Sequence, residues 1–115
     1  MKNEVVVVSL DNIDAKVTAH GIGIKKVFIT GDQCDSNITQ VAFGELKMYE
    51  KIENHLHTTM DEFYFFIEGQ ATFIIDSNDF SCPAGTFVKV PAGALHGLEA
   101  ISTINFIYWG VAILK

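Results

Sequence analysis

Short runs of β-branched and aromatic residues, separated by turn signals, recur along this sequence of 115 residues. The runs are residues 5–10, 24–30, 39–51, 62–68, 71–76, 86–90 and 101–114, together with Phe80. Such runs are typical of β-strands. Helical periodicity is nowhere sustained over three turns, although residues 11–20 allow one short helical turn. We therefore predict an all-β fold, either a sandwich or a small barrel.

The run 62–68 predicts which side chains face the core. Side chains of a strand alternate between two faces, so Tyr64 and Phe66 should share the face of Glu62 and point inward. Phe63, Phe65 and Ile67 should point the other way. The Gly69-Gln70 pair that follows is typical of a tight turn, which predicts a hairpin between 62–68 and 71–76.

Four side chains carry most of the chemistry in the sequence: His55, His57, Glu62 and His96. Imidazoles at positions i and i+2 lie on one face of an extended strand, so their ring nitrogens can converge on one ion. Glu62 offers a carboxylate and His96 a third imidazole. Three nitrogen ligands and one oxygen ligand suit a first-row divalent metal.

The spacing of these residues also constrains the backbone. The step from His57 to Glu62 is odd, so residues 58–61 must bend or bulge to aim Glu62 at the same ion. Residues 91–95 read as a turn, because Pro91 fixes φ and Gly93 accepts positive φ. His96 then re-enters the sheet.

The order of these residues resembles the two signature motifs of the cupin superfamily. The first motif reads His55-x-His57, four residues, Glu62, six residues, Gly69. After 15 residues the second reads Gly85, five residues, Pro91-x-Gly93, two residues, His96. The sequence departs from the family at Tyr49, where the first motif usually has Gly, and at Ala100, where the second usually ends in Asn.

This resemblance implies a fold and a ligand set. It implies a single domain over residues 1–115, folded as a double-stranded β-helix, or jelly-roll barrel, with the metal inside one end. It also implies that His55, His57, Glu62 and His96 are the metal ligands. Fe, Mn, Ni, Co, Zn and Cu all remain open as the metal.

Two further histidine interpretations follow from spacing. The HxHxDH pattern of metallo-β-lactamase-like hydrolases fails, because Thr59 and Met60 occupy its Asp and His positions. His20 has no partner at ligand spacing, so we interpret it as a surface residue.

A metal with open coordination positions in an aromatic cavity is compatible with several functions. Our first prediction is a metal-dependent enzyme of oxygenase type, with Glu62 and Tyr64 as candidate catalytic residues. The alternatives are a non-catalytic cupin that binds or senses a small molecule, and a metal-dependent isomerase or lyase. Tyr108 or Trp109 should line the cavity mouth.

The cavity composition also predicts the ligand. Walls of Phe and Tyr favour a neutral or aromatic small molecule. The sequence contains no Arg, the residue that most often grips carboxylates and phosphates. An anionic substrate would therefore have to rely on the metal, on backbone donors, or on Lys47, Lys51 or Lys89.

The composition limits the binding partners and the cellular compartment that we expect for this protein. A net charge of −6 without a basic cluster argues against nucleic-acid binding. No apolar run approaches the roughly 18 residues of a membrane span, and no signal peptide is recognisable. Cys34 and Cys82 form no CxxC pair and should be free thiols, which favours the cytoplasm. The apolar segments 5–8 and 104–109 predict a homodimer through the outer sheet.

Overall fold

Strands account for nearly all the regular structure in the computed structural model, which describes residues 4–113. The strands are β1 Lys16–Val17, β2 Ile24–Thr30, β3 Ile38–Leu46, β4 Lys51–His55, β5 Met60–Glu68, β6 Gln70–Ile75, β7 Asn78–Pro83, β8 Phe87–Val90, β9 His96–Ala100 and β10 Ile104–Ala112. Two short 3-10 turns, Leu10–Asn12 and Gly31–Gln33, are the only helical elements in this part of the chain. The prediction of an all-β fold is confirmed.

The strands form two antiparallel sheets that enclose the core as a jelly roll. One sheet has the order β1-β2-β3-β10-β5-β8, and the other has the order β4-β9-β6-β7. Strands that are neighbours in a sheet are therefore mostly distant in sequence. β10, for example, lies between β3 and β5.

Alternation along β5 fills the space between the sheets. Glu62, Tyr64 and Phe66 are buried, whereas the residues between them are partly or largely exposed, as predicted. Phe66 packs against Phe73 of the opposite sheet, with ring centroids 6.2 Å apart. Aromatic side chains from both sheets thus make the core.

The predicted hairpin at Gly69 is wrong. β5 pairs with β10 and β8, whereas β6 pairs with β7 and β9, so the chain crosses from one sheet to the other at Gly69. Gly69 has φ 86°, and a side chain there would collide with the carbonyl of Thr103. A glycine turn signal indicates a change of direction, and long-range pairing decides which strand comes next.

The long run at residues 39–51 divides into two strands, one in each sheet, around a tight turn at 47–50. Tyr49 occupies the left-handed region with φ 70°, and its N–H donates to the carbonyl of Ala100 at 2.8 Å. These are the two positions at which the sequence departs from the cupin motifs. At Tyr49 the backbone has a conformation that glycine adopts most readily, whereas Ala100 ends the strand β9.

The chain ends differ most from the predictions. Residues 5–9 form no strand, and Val7 is 92% exposed, because no neighbouring strand pairs with them. The possible helical turn at 11–20 is replaced by the turn Leu10–Asn12 and the short β1. The last predicted strand, 101–114, is observed as Ile104–Ala112; Leu114 lies outside the described residues.

The crossing at Gly69 gives a stability prediction. We expect Gly69→Ala to lower the free energy of unfolding by about 2–4 kcal/mol, because alanine is strained at positive φ and its methyl group would overpack the site. Gly85→Ala is the matched control, since φ is 88° there and nothing lies within 4 Å of the added carbon. It should cost only about 1–2 kcal/mol. Urea unfolding measures both, and equal losses would contradict the crowding argument.

Candidate metal centre

The four predicted ligand residues lie together at one end of the barrel. One donor atom from each of His55, His57, Glu62 and His96 lies within 4.8 Å of every other. His55 ends β4 and is paired with His96, the first residue of β9, in the smaller sheet. Glu62 belongs to β5 in the larger sheet. The cluster therefore bridges the two sheets.

Two turns bring His57 and His96 to the cluster. Residues 56–59 leave the strand conformation between β4 and β5, so the bend predicted over 58–61 is present but begins and ends two residues earlier. The His57 carbonyl accepts a hydrogen bond from Gly93 N–H at 2.7 Å. The Asp61 carboxylate accepts one from Ala92 N–H at 2.8 Å. These bonds hold the 91–95 turn against the start of β5.

Backbone carbonyls orient two of the rings. Nδ1 of His96 lies 2.9 Å from the Ala94 carbonyl oxygen, and Nδ1 of His55 lies 2.9 Å from that of Glu53. A ring that donates its Nδ1–H to a carbonyl keeps the lone pair on Nε2 for another partner. Nε2 of His96 lies 3.1 Å from Oε1 of Glu62. Nε2 of His57 lies 3.7 Å from the same oxygen.

The electrostatics of the cluster favour an ionised carboxylate. Burial alone would raise the pKa of Glu62, which is 7% exposed, but the His96 hydrogen bond and the nearby imidazoles outweigh it and lower that pKa. Burial likewise acts to lower the pKa of His96, yet its bonds to Glu62 and to the Ala94 carbonyl raise it. Burial lowers the pKa of His55.

Tyr64 lies beside Glu62, as predicted. Its hydroxyl donates to Oε1 of Glu62 at 3.3 Å. Burial, together with the neighbouring carboxylate, raises the pKa of Tyr64 well above its usual value. The hydroxyl therefore stays protonated and serves as a donor.

The cluster opens into a cavity of about 150 Å³ with aromatic walls. Tyr64 stacks on Tyr108 with ring centroids 5.5 Å apart, and Phe73 and Phe106 extend the wall. Of the two residues expected at the mouth, Tyr108 lines the cavity. Trp109 instead stacks against Phe63 on the outer face of the sheet.

The interpretation of His20 as an isolated surface residue needs correction. Its side chain is exposed, but its ring centroid lies 4.3 Å from that of His55, and it borders the cavity. Partial burial, with nearby imidazoles, lowers the pKa of His20. His20 stands 35 positions before His55, and no local spacing signal links the two.

The lysines also differ from expectation. Lys51 and Lys89 are exposed on their strands, and Lys47 borders a separate shallow depression. Lys25 lines the cavity instead. Like His20, it lies in the β1–β2 hairpin, and only the register of β2 on β3 shows that it faces inward.

The donor set fits a divalent transition metal. Three imidazoles and one ionised carboxylate converge, and two imidazoles are oriented by carbonyls as metal-binding histidines are.

The sequence over residues 43–109 matches the Cupin domain family. This chain belongs to the cupin family. The matched segment begins in β3 and ends in β10, so it includes all four residues of the cluster.

Solved structures show that this cupin has the expected jelly-roll fold. A predicted oxalate decarboxylase from Thermotoga maritima superposes with a TM-score of 0.86 at 17% identity, covering 93% of this chain and 99% of that one. An RmlC-like cupin from Shewanella frigidimarina superposes with a TM-score of 0.81 at 12% identity, covering 100% of this chain and 97% of that one. KdgF from Halomonas sp. superposes with a TM-score of 0.78 at 10% identity, covering 98% of this chain and 96% of that one.

No curated protein matches this sequence closely enough to count as a relative. Within residues 4–113, no helix has the length and hydropathy that crossing a membrane requires.

Proposed function

We propose that this cupin is a metal-dependent enzyme of oxygenase type that acts on a small molecule with an aromatic or apolar body. The observation that carries the proposal is the position of the cluster. Four convergent donors line a cavity whose other walls include several aromatic side chains. An apolar cavity with a few convergent polar groups is typical of a small-molecule site.

His55, His57, Glu62 and His96 would hold the metal. When bound, a divalent ion chosen from Fe, Mn, Ni, Co, Zn and Cu supplies Lewis acidity and open coordination positions for a pair of substrate oxygens. The protein fixes the donors through the carbonyls of Glu53 and Ala94.

Glu62 and Tyr64 are the candidate catalytic pair. The Glu62 carboxylate is ionised and faces the cavity, so it is placed to accept a proton from a bound substrate. Tyr64 donates to Oε1 of that carboxylate and so limits its rotation. Its own hydroxyl also borders the cavity, within the space that a substrate would occupy.

The ligand set predicts metal binding at one ion per chain. Alanine in place of His55, His57, Glu62 or His96 should weaken binding by about 100-fold or more, because each removes a direct donor. Titration calorimetry with Mn²⁺, Co²⁺ and Zn²⁺ measures this. Glu68→Ala, an exposed carboxylate on the same strand, is the control and should bind like the wild type. Equal affinities in all variants would contradict the site.

Oxygenase chemistry predicts oxygen uptake. After anaerobic loading with each metal, a panel of catechol, flavonol and diketone substrates should give uptake at an oxygen electrode. Glu62→Gln should lower the rate about 100-fold or more, whereas Glu68→Gln should not. Product formation without oxygen uptake would indicate an isomerase or lyase and not an oxygenase. Ligand binding without turnover would support a binding or sensing cupin.

We also propose a homodimer through the outer face of the larger sheet. Phe63 stacks there on Phe87 and Trp109, with centroids 6.2 and 5.7 Å away, and Phe65 is exposed beside them. Aromatic surface of this kind is typical of an interface. β10 lies between β3 and β5, so the outer face of this strand, and not an edge, is the candidate contact.

Light scattering should show a dimer for the wild type and a monomer for Phe65→Asp and Phe87→Asp, because a buried unpaired carboxylate opposes association. Phe80→Asp, an exposed aromatic in the smaller sheet, is the matched control and should leave the dimer intact. A wild-type monomer at every concentration would exclude the interface.

We further propose that the protein works in the cytoplasm. Cys34 and Cys82 are both free thiols, as predicted, which suits a reducing compartment.

A further inference from the structure

Lys25 faces into the barrel. Residues paired across antiparallel strands share a face of the sheet, and Lys25 is paired with Gly44. Gly44 lies on the buried face of β3 with Ala42 and Leu46. Lys25 is accordingly only partly exposed, and it lines the cavity that holds the histidine cluster.

The amine of Lys25 has no partner in the described part of the chain. Lys25 forms no ion pair or hydrogen bond with any residue in 4–113, whereas the adjacent Lys26 donates to the Leu10 carbonyl at 3.2 Å. Glu45 also borders the cavity, but it alternates to the outer face of β3. Glu62 is already bonded to His96 and Tyr64.

Among the described lysines, Lys25 is the one that lines this cavity, and the sequence has no arginine. A partly buried cation loses hydration, and an anion in contact with it restores the lost interaction. Apart from the histidines, Lys25 is thus the basic side chain that lines the cavity.

Register gives the separation, measured along the strands, of the backbone rows that carry Lys25 and Glu62. Lys25 lies in the row of Gly44 and Phe106, and Glu62 lies in the row of Gly110. Phe106 and Gly110 are four residues apart on β10, about 13 Å along the strand. The row of Tyr64 and Tyr108 lies between these two rows, so a ligand that contacts both Lys25 and the cluster would pass the aromatic wall.

We propose that Lys25 is a specificity-determining residue that binds a carboxylate at the end of the ligand remote from the metal. The inference rests on the proposed function. It narrows the substrate to a small molecule with two adjacent oxygen donors, an aromatic or apolar body and one terminal carboxylate. The proposed ligand is anionic, whereas the sequence predicts a neutral or aromatic one, because the cavity contains a lysine that local spacing did not indicate.

Two catechols of similar size test this: 3-(3,4-dihydroxyphenyl)propionate, which carries a carboxylate, and 4-propylcatechol, which does not. Both are titrated calorimetrically into the full chain loaded with the divalent ion that it binds most tightly. The wild type should prefer the propionate by about 10-fold or more. Lys25→Met should remove this preference and keep the affinity for 4-propylcatechol. Lys25→Glu should reverse the preference.

Lys51→Met, which removes an exposed lysine, is the matched control and should behave as the wild type. Circular dichroism and metal affinity establish that the Lys25 variants are folded and loaded. Equal binding of both catechols by the wild type, or an unchanged preference in Lys25→Met, would overturn the role of Lys25 and leave the metal site standing. Failure of both catechols on the loaded protein would count against the proposed function, and with it this inference.

Discussion

The hydrogen bond between Glu62 and His96 is the interaction on which the site depends. Glu62 belongs to the larger sheet and His96 to the smaller, and their side chains meet at 3.1 Å with 7% and 2% exposure. A carboxylate buried this deeply is stable only with strong partners, so the imidazoles fix the approach of the two sheets at this end. The same contact keeps the donor atoms together before any ion binds.

Local sequence rules predicted the part of the site that lies within one or two strands. Period-two alternation correctly assigned Tyr64 and Phe66 to the buried face of β5. The odd step from His57 to Glu62 correctly required a bend. The resemblance to the cupin motifs supplied the remaining link, because no local rule states that His96 returns to the same place from 34 residues away.

Long-range pairing decided what local rules missed. The sequence at Gly69 predicts a hairpin turn, yet β5 pairs with β10 and β8, whereas β6 pairs with β7 and β9 in the other sheet. Residues 5–9 have the composition of a strand but no neighbour to pair with. Lys25 reaches the cavity through the register of β2 on β3, and His20 reaches it from the turn between β1 and β2; spacing within either strand specifies neither.

The site therefore has two parts of different origin. The candidate metal-binding part comes from two compact motifs, and carbonyl hydrogen bonds orient two of its imidazoles. The part proposed to contact the far end of a ligand comes from the β1–β2 hairpin, at the edge of the larger sheet. An edge hairpin can change its side chains without disturbing the Glu62–His96 contact. On the proposed function, substrate choice can therefore vary while the metal chemistry stays constant, which is how one fold serves many reactions.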